Sequence, residues 1–373
     1  MKVAIVTESF LPTLNGVTTS VCRILDEFSR LGHQALVIAP SPAPAAYRGH
    51  RIHQVRGVTL RSFRVGVPPA SLETVLRDFA PDVLHAASPF GLGARGLGAA
   101  RNLGIPTVAI YQTDMPGYLA QYGGRPVASL SWRWVRHLHS LADLTLAPST
   151  ATIQELRARG VPRVAHWGRG VDSSLFDPAL RESPDVVALR ECLAPQGQTI
   201  VGYVGRLAPE KEVHRLEVLA DDPSIALAIV GDGPSRARLE RWLPQAHFLG
   251  YRTGSDLAQA YAALDVFVHT GTKETFGQTL QEAMASGLPV VAPSVGGPLD
   301  VLHAGRTGCF YDPDSPDELR RVVADLSVDA AFRESLGCAA RQVAESRGWS
   351  RTVSDLISYY EQVCTPRTLA IAA

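Results

Sequence analysis

Four charged residues, Arg206, Lys211, Glu274 and Glu282, have the types and spacing to handle a sugar and a phosphate together. The two acids bracket the stretch KETFGQTLQEAMASG (273–287), which follows the short apolar run DVFVH (265–269). That run reads as a buried parallel strand, and Leu280, Ala283 and Met284 then recur at helical spacing. Strand, polar loop and helix N-terminus bring free amides and the positive end of a helix dipole to the C-terminal edge of a sheet. In an open α/β sheet ligands sit at that edge, and an anion is the natural guest. A carboxylate there repels a phosphate unless it aims elsewhere. Carboxylates accept hydrogen bonds in pairs, and vicinal sugar hydroxyls donate in pairs. The simplest reading is a sugar on each side of a phosphate: one diol on Glu274, another on Glu282, and the phosphates on the amides of Phe276, Gly277, Gln278 and Thr279. The plain alternative makes Glu274 a first-turn acid and Glu282 a solvated helix position.

Arg206 ends the apolar run TIVGYVGR (199–206), and Lys211 follows five residues later. The chain uses only three lysines (Lys2, Lys211, Lys273), so a lysine at 211 hints that a compact ammonium is wanted there. Charge-assisted hydrogen bonds from such groups to phosphate are worth roughly 1.5–3 kcal/mol each. They strengthen as a departing diphosphate gains charge. A solvated loop is the plain alternative. Neighbouring strand ends add Gly231-Asp232-Gly233-Pro234, a tight turn, Tyr251 after Gly250, where a base would lie, and Gly296-Gly297. In the first half, Asn15-Gly16 sits between strand and helix, as a close backbone approach to a ligand or a plain turn. Gln112 and Asp114 lie in a loop, QTDMPGYLAQYGG, where polar groups reach a ligand. Asp114 is open to three roles: catalytic group, acceptor contact or turn cap. The Asp312-Pro313-Asp314 triplet reads as a turn and cap, and no His/Asp/Cys cluster suggests a metal.

To hold these residues, the chain repeats an apolar-strand, helix rhythm twice. It has 373 residues, comfortable for two domains. The first rhythm runs through KVAIVTES (2–9), a helix after Gly16, ALVIAP (35–40), DVLHA (82–86), PTVAIY (106–111) and DLTLAPS (143–149). The second has strands at 199–206, 226–231, 247–250, 265–269, 289–293 and 307–311. Residues 41–70 read as a loop and short-strand excursion, 131–143 as a half-buried amphipathic helix, and 164–184 as the linker. The expectation is an α/β chain of two Rossmann-like, doubly wound parallel-sheet domains facing a cleft, 1–170 and 171–345, with a final helix in 346–373 crossing back.

Net charge is zero, unevenly shared: residues 1–165 hold 17 Lys+Arg against 9 Asp+Glu, so the remainder carries the opposite excess. Chance in an Arg-rich sequence explains this, or an anionic surface such as lipid headgroups. Five scattered cysteines with no C-x-x-C argue for a reducing compartment and against a disulfide frame. The N-terminal apolar run is too short for a signal peptide, and no stretch of 18 apolar residues spans a bilayer. A cytoplasmic protein is expected, resting on the inner face of the plasma membrane if the basic half meets lipid, with no nucleic-acid partner.

These motifs resemble those of family 4 of the retaining nucleotide-sugar glycosyltransferases, which have the GT-B fold. The likeness lies in Asn15-Gly16, Gly205-Arg206 with Glu210-Lys211, Gly231 to Pro234, and Glu274-x7-Glu282 followed by EAMASGLPVVA and Gly296-Gly297. MKVAIVTESFLPTLNGV, IYQTDMPGY, LAPSTAT and GRLAPEK look like actinobacterial GDP-mannose-dependent α-mannosyltransferases of glycolipid synthesis. The resemblance implies that Arg206 and Lys211 bind the diphosphate, Glu282 the ribose, and Glu274 with the backbone of Phe276, Gly277 and Gln278 the donor sugar. Gly16 would close on the phosphate. Many members have His where Gln112 stands, which puts any imidazole role there in doubt; Asp114 is the substitute at hand.

The expected activity is retaining transfer of mannose from GDP-mannose to a hydroxyl of a polar, glycolipid-type acceptor, with no metal and no further cofactor. Rivals are a UDP- or ADP-sugar with a soluble metabolite acceptor, a nucleotide-sugar epimerase of the same architecture, and a silent binding module. Intact Glu274, Arg206 and Lys211 speak against the last.

Overall fold

The computed structural model describes residues 1–60 and 63–365, and the expected C-terminal segment beyond 365 lies outside them. The chain divides into two compact units, Met1–Arg169 with Trp349–Ala373, and Gly170–Gly348.

The first unit carries β1 (Lys2–Thr7), β2 (Gln34–Pro40), β3 (Ala46–Tyr47), β4 (His50–Val55), β5 (Gly57–Leu60), β6 (Phe63–Gly66), β7 (Val83–Ala87), β8 (Thr107–Ile110), β9 (Leu144–Ala147) and β10 (Val164–His166). Eight of them form one sheet in the order β10-β9-β8-β7-β1-β2-β4-β3, parallel except for the β3–β4 pair, while β5 and β6 form a separate hairpin. The central strands are apolar along their length because both faces are covered by helices. Helix Gly16–Leu31 shows how: Val21, Ile24, Leu25 and Phe28 point inward, Asn15 caps its first amides, and Gly32 (φ 76°) ends it.

Two expectations need correcting here. The stretch read as a linker begins with a sheet strand, β10, so regular structure persists to His166. The loop expected after Gln112 is instead the start of a helix, Met115–Leu141, because Asp114 caps it and Pro116 is tolerated in its first turn.

The final helix, Trp349–Cys364, packs in this first unit. Trp349, Val353, Leu356 and Tyr360 join Phe28, Val37 and Trp167 in one core cluster. The Trp167 indole donates to the Thr352 carbonyl (2.9 Å), and the Tyr360 hydroxyl meets His85 Nδ1 (2.5 Å).

The second unit carries β11 (Thr199–Val204), β12 (Ile225–Val230), β13 (His247–Gly250), β14 (Val266–Val268), β15 (Val290–Pro293) and β16 (Gly308–Tyr311). All are parallel, in the order β13-β12-β11-β14-β15-β16. The order reverses between β11 and β14, so the loops leaving those strands diverge and open a crevice at their C-terminal ends. Gly202 makes the β11–β14 approach feasible, since a Cβ there would lie 2.3 Å from Leu264.

If the last helix is part of the first unit's core, Leu356→Ala should cost about 2–5 kcal/mol, since Leu356 is fully buried. Ser354→Ala, on the exposed face, should stay within about 0.5 kcal/mol. Thermal melting of both variants checks the contrast.

Candidate active site

At the β11/β14 crevice, the loop after β11 turns through Gly205 and Arg206 into a short 3-10 turn, Pro209–Lys211. The loop after β14 runs from His269 to Gly277 and then enters helix Gln278–Ala285. Lys211 Nζ reaches across to Glu274 Oε2 at 2.7 Å. Thr270 Oγ1 donates to the Lys211 carbonyl (2.6 Å), which locks the two loops at backbone level. Glu274 is mostly buried, and burial alone would raise its pKa. The Lys211 ammonium, then His269 and the Phe276 amide, outweigh that and hold the carboxyl at about 2. A fixed anion beside a fixed cation results.

The other expected residues fall around this pair. Arg206 is half exposed and lies 3.8 Å from Glu210, leaving its guanidinium facing solvent at the crevice. The Phe276 amide serves the Glu274 carboxylate, an additional duty to the anion contact expected for it. Gly277 has φ 100°, which lets the chain turn into the helix that starts with Gln278 and Thr279. The Gln278 amide nitrogen donates to the Gly170 carbonyl (3.2 Å). Glu282, further along that helix, accepts from the buried Tyr261 hydroxyl at 3.0 Å. Gly231 (φ 133°) and Gly233 (φ 157°) have a packing reason, since Cβ atoms there would meet the Gly205 and Leu207 carbonyls at 1.9 and 2.3 Å. Gly297 is likewise pressed on the Phe276 backbone, and its amide donates to the Glu274 carbonyl (2.9 Å). Tyr251 is exposed beyond β13, and Asp312 takes the Asp314 amide (2.9 Å), as a turn residue does.

In the first unit the corresponding reversal lies between β1 and β7. Glu8, just past β1, accepts from the Phe90 and Gly93 amides (3.3 and 3.0 Å) at the start of helix Leu92–Asn102. Its second oxygen is buried without a hydrogen-bond partner among the described residues, and burial pushes its pKa up against those amides. Asn15 caps its helix through Oδ1 and donates to Ser9 Oγ (2.7 Å). A Cβ on Gly16 would lie 2.7 Å from the Arg169 guanidinium. The same guanidinium donates to Gln112 Oε1 (2.7 Å), so Arg169 gathers Gly16 and Gln112 at one point. Arginine only donates, which fixes the Gln112 oxygen toward it and leaves the buried amide nitrogen without a hydrogen-bond partner among the described residues. Asp114 accepts from the Gly117 amide (2.9 Å) and the Tyr111 hydroxyl (3.4 Å). Those are the contacts of a cap, one of its three open roles.

Sequence reading passed over Glu8, Arg169, Tyr261 and His269. Arg169 sits in a stretch without periodicity, where no local pattern marks it. Tyr261 and His269 occupy apolar runs where a polar tip is easily counted as core.

Two family models match consecutive parts of the chain: "Glycosyltransferase Family 4" residues 14–175, and "Glycosyl transferases group 1" residues 189–343. Relatives named "GDP-mannose-dependent alpha-mannosyltransferase" come from Mycobacterium tuberculosis, 47% identical with 100% of this chain and 99% of the relative covered, and from Mycolicibacterium smegmatis, 48% identical with 100% of both covered. Among solved structures, HepE of Anabaena in complex with UDP-glucose has a TM-score of 0.76 at 22% identity, covering 97% of this chain and 99% of that one. Sucrose-phosphate synthase from Thermosynechococcus elongatus has 0.78 at 20% identity, covering 97% and 98%. Two Rossmann-like units with these neighbours show the GT-B fold, and the two family models make the chain a glycosyltransferase. More closely, the chain belongs to glycosyltransferase family 4, alongside the actinobacterial enzymes it matches from end to end.

The Glu274 pKa carries a stability consequence. A carboxyl depressed from 4.5 to about 2 on folding contributes stability above about pH 4.5 and loses it as pH falls toward 2. Glu274→Gln should therefore show a shallower fall of melting temperature between about pH 5 and 3 than the parent protein. Parallel acid slopes would place the Lys211–Glu274 pair outside the stability balance.

Proposed function

We propose that this enzyme transfers mannose from GDP-mannose, with retention of configuration, to a hydroxyl of a polar glycolipid-type acceptor. The observation that carries the reading is the Lys211–Glu274 pair spanning the β11/β14 crevice, where an open α/β sheet receives its ligand. Full-length identity of 47–48% to relatives named for GDP-mannose supports the choice of donor.

In this reading Arg206 and Lys211 hold the diphosphate. Glu274 takes a pair of hydroxyls of the donor sugar, with the backbone of Gly277 and Gln278 beside it. Glu282, steadied by Tyr261, takes the ribose diol, and Tyr251 lies on the base side. Retention without a protein nucleophile is accounted for by front-face substitution. As the anomeric C–O bond breaks, the leaving diphosphate oxygen accepts the proton of the attacking hydroxyl, which bonds to the same face. Lys211 and Arg206 stabilise the charge that develops. No metal and no organic cofactor enter the scheme. Gln112, fixed by Arg169, acts as a neutral donor on the acceptor side.

A lipid-borne acceptor and peripheral contact with the cytoplasmic face of a membrane fit the first unit's surface. No helix among the described residues is long and apolar enough to cross a membrane. On helix Met115–Leu141, however, Leu130 and Trp134 are exposed beside exposed Arg133 and Arg136. Apolar tips flanked by guanidinium groups suit an anionic interface.

Lys211→Ala should lower turnover by on the order of a hundredfold or more with little change in folding. Tyr261→Phe leaves Glu282 without its buried donor and should weaken donor binding by about tenfold. Calorimetric titration with GDP, UDP and ADP tests the donor directly. Preference for GDP is expected; preference for UDP would overturn the donor assignment. Activity of Lys211→Ala equal to that of the parent would overturn the mechanism.

A further inference from the structure

His269 opens the Glu274 loop at 2% exposure, and among the described residues its ring nitrogens make no hydrogen bond of normal geometry, only a weak contact with the Gly271 backbone. Nε2 lies 3.8 Å from Glu274 Oε2, the oxygen that Lys211 holds at 2.7 Å. Burial pulls its pKa down to about 4, against the Glu274 charge, so the ring is neutral at ordinary pH. A buried donor satisfied so weakly is costly, and an aliphatic residue of similar volume would fill the site without that cost. The arrangement makes sense if the ring is used in another state of the site.

We infer that His269 is the second partner of Glu274: a positioning residue that takes the carboxylate over when Lys211 turns to the donor's diphosphate. The inference rests on the donor-binding reading above. One ammonium cannot hold Glu274 and a diphosphate at full strength together. When it moves to the phosphates, Glu274 becomes a buried carboxylate short of a donor, and removing one member of a buried pair is expensive. Closing His269 Nε2–H onto Glu274 from 3.8 Å to a hydrogen-bond length of about 2.8 Å needs a shift of about 1 Å. The Thr270 bond to the Lys211 carbonyl keeps both backbones in place while the lysine side chain moves. The neutral ring leaves the negative charge on Glu274, which keeps it a strong acceptor for sugar hydroxyls.

The test is a double-mutant cycle read by GDP calorimetry and by melting of the ligand-free protein. His269→Leu should weaken GDP binding by about tenfold while the ligand-free melting temperature stays the same or rises. His269→Gln, which keeps an N–H near the Nε2 position, should bind GDP within about threefold of the parent. In a Glu274→Gln background no carboxylate is left to hand over, so adding His269→Leu should bring no further loss. Unchanged GDP affinity in His269→Leu overturns the inference. So does an equal loss in both backgrounds, or a joint fall of affinity and melting temperature without rescue by Gln. If the parent protein itself takes UDP or ADP instead of GDP, the donor reading fails, and the same cycle on that nucleotide still decides His269.

Discussion

The second unit is built around one electrostatic constraint, a lysine and a glutamate from loops that leave neighbouring strands in opposite directions. Lys211 follows β11 and Glu274 follows β14, and the strand order reverses between them. Parallel strands send both loops to the same edge, where the Glu274 side chain is 16% and the Lys211 side chain 28% exposed, so their charges interact more strongly than in open solvent. The close backbone approaches of Gly231, Gly233 and Gly297 are consequences. Each lets a neighbouring loop nest against the two that carry the pair, so the pair is held by backbone as much as by its own attraction.

The first unit solves the corresponding problem with amides. At its reversal, between β1 and β7, Glu8 faces the amides of Phe90 and Gly93 where the second unit sets an ammonium against a carboxylate. Amides neutralise a carboxylate less completely than lysine does, and burial pushes the Glu8 pKa up where the Glu274 pKa goes down. Among the described residues Arg169 is the cation shown against Gly16 and Gln112, and it comes from the end of this unit's first segment.

Much of this was legible in the residues. Both sheets announce themselves because buried parallel strands are continuous apolar runs, and all six strands of the second unit were visible that way. The Glu274 and Lys211 meeting was also foreseeable, since both stand at strand ends on one edge. Helix Met115–Leu141 was obscured by Pro116 and Gly117, which read as a turn. A capping aspartate reverses that reading, because proline is at home in a first turn and a Cβ at 117 would strike the Asp114 carboxylate. Residues such as Arg169, Tyr261 and His269 are fixed by contacts across long stretches of chain, and no local period or spacing encodes them.

The ligand-free pair also bears on selectivity. With Lys211 on Glu274 and Arg206 near Glu210, each cation of the crevice has an acidic neighbour before any ligand arrives. Under the proposed reading a diphosphate must draw these cations away from their acids, and that separation costs energy in a half-buried site. In that reading a nucleoside diphosphate alone would leave Glu274 to His269. A sugar attached to it restores a full complement of donors, because two hydroxyls then reach the carboxylate that the lysine has left. On that proposal the charge pair would favour the intact donor over the nucleotide product, so binding the sugar and releasing the spent diphosphate would depend on the same two side chains.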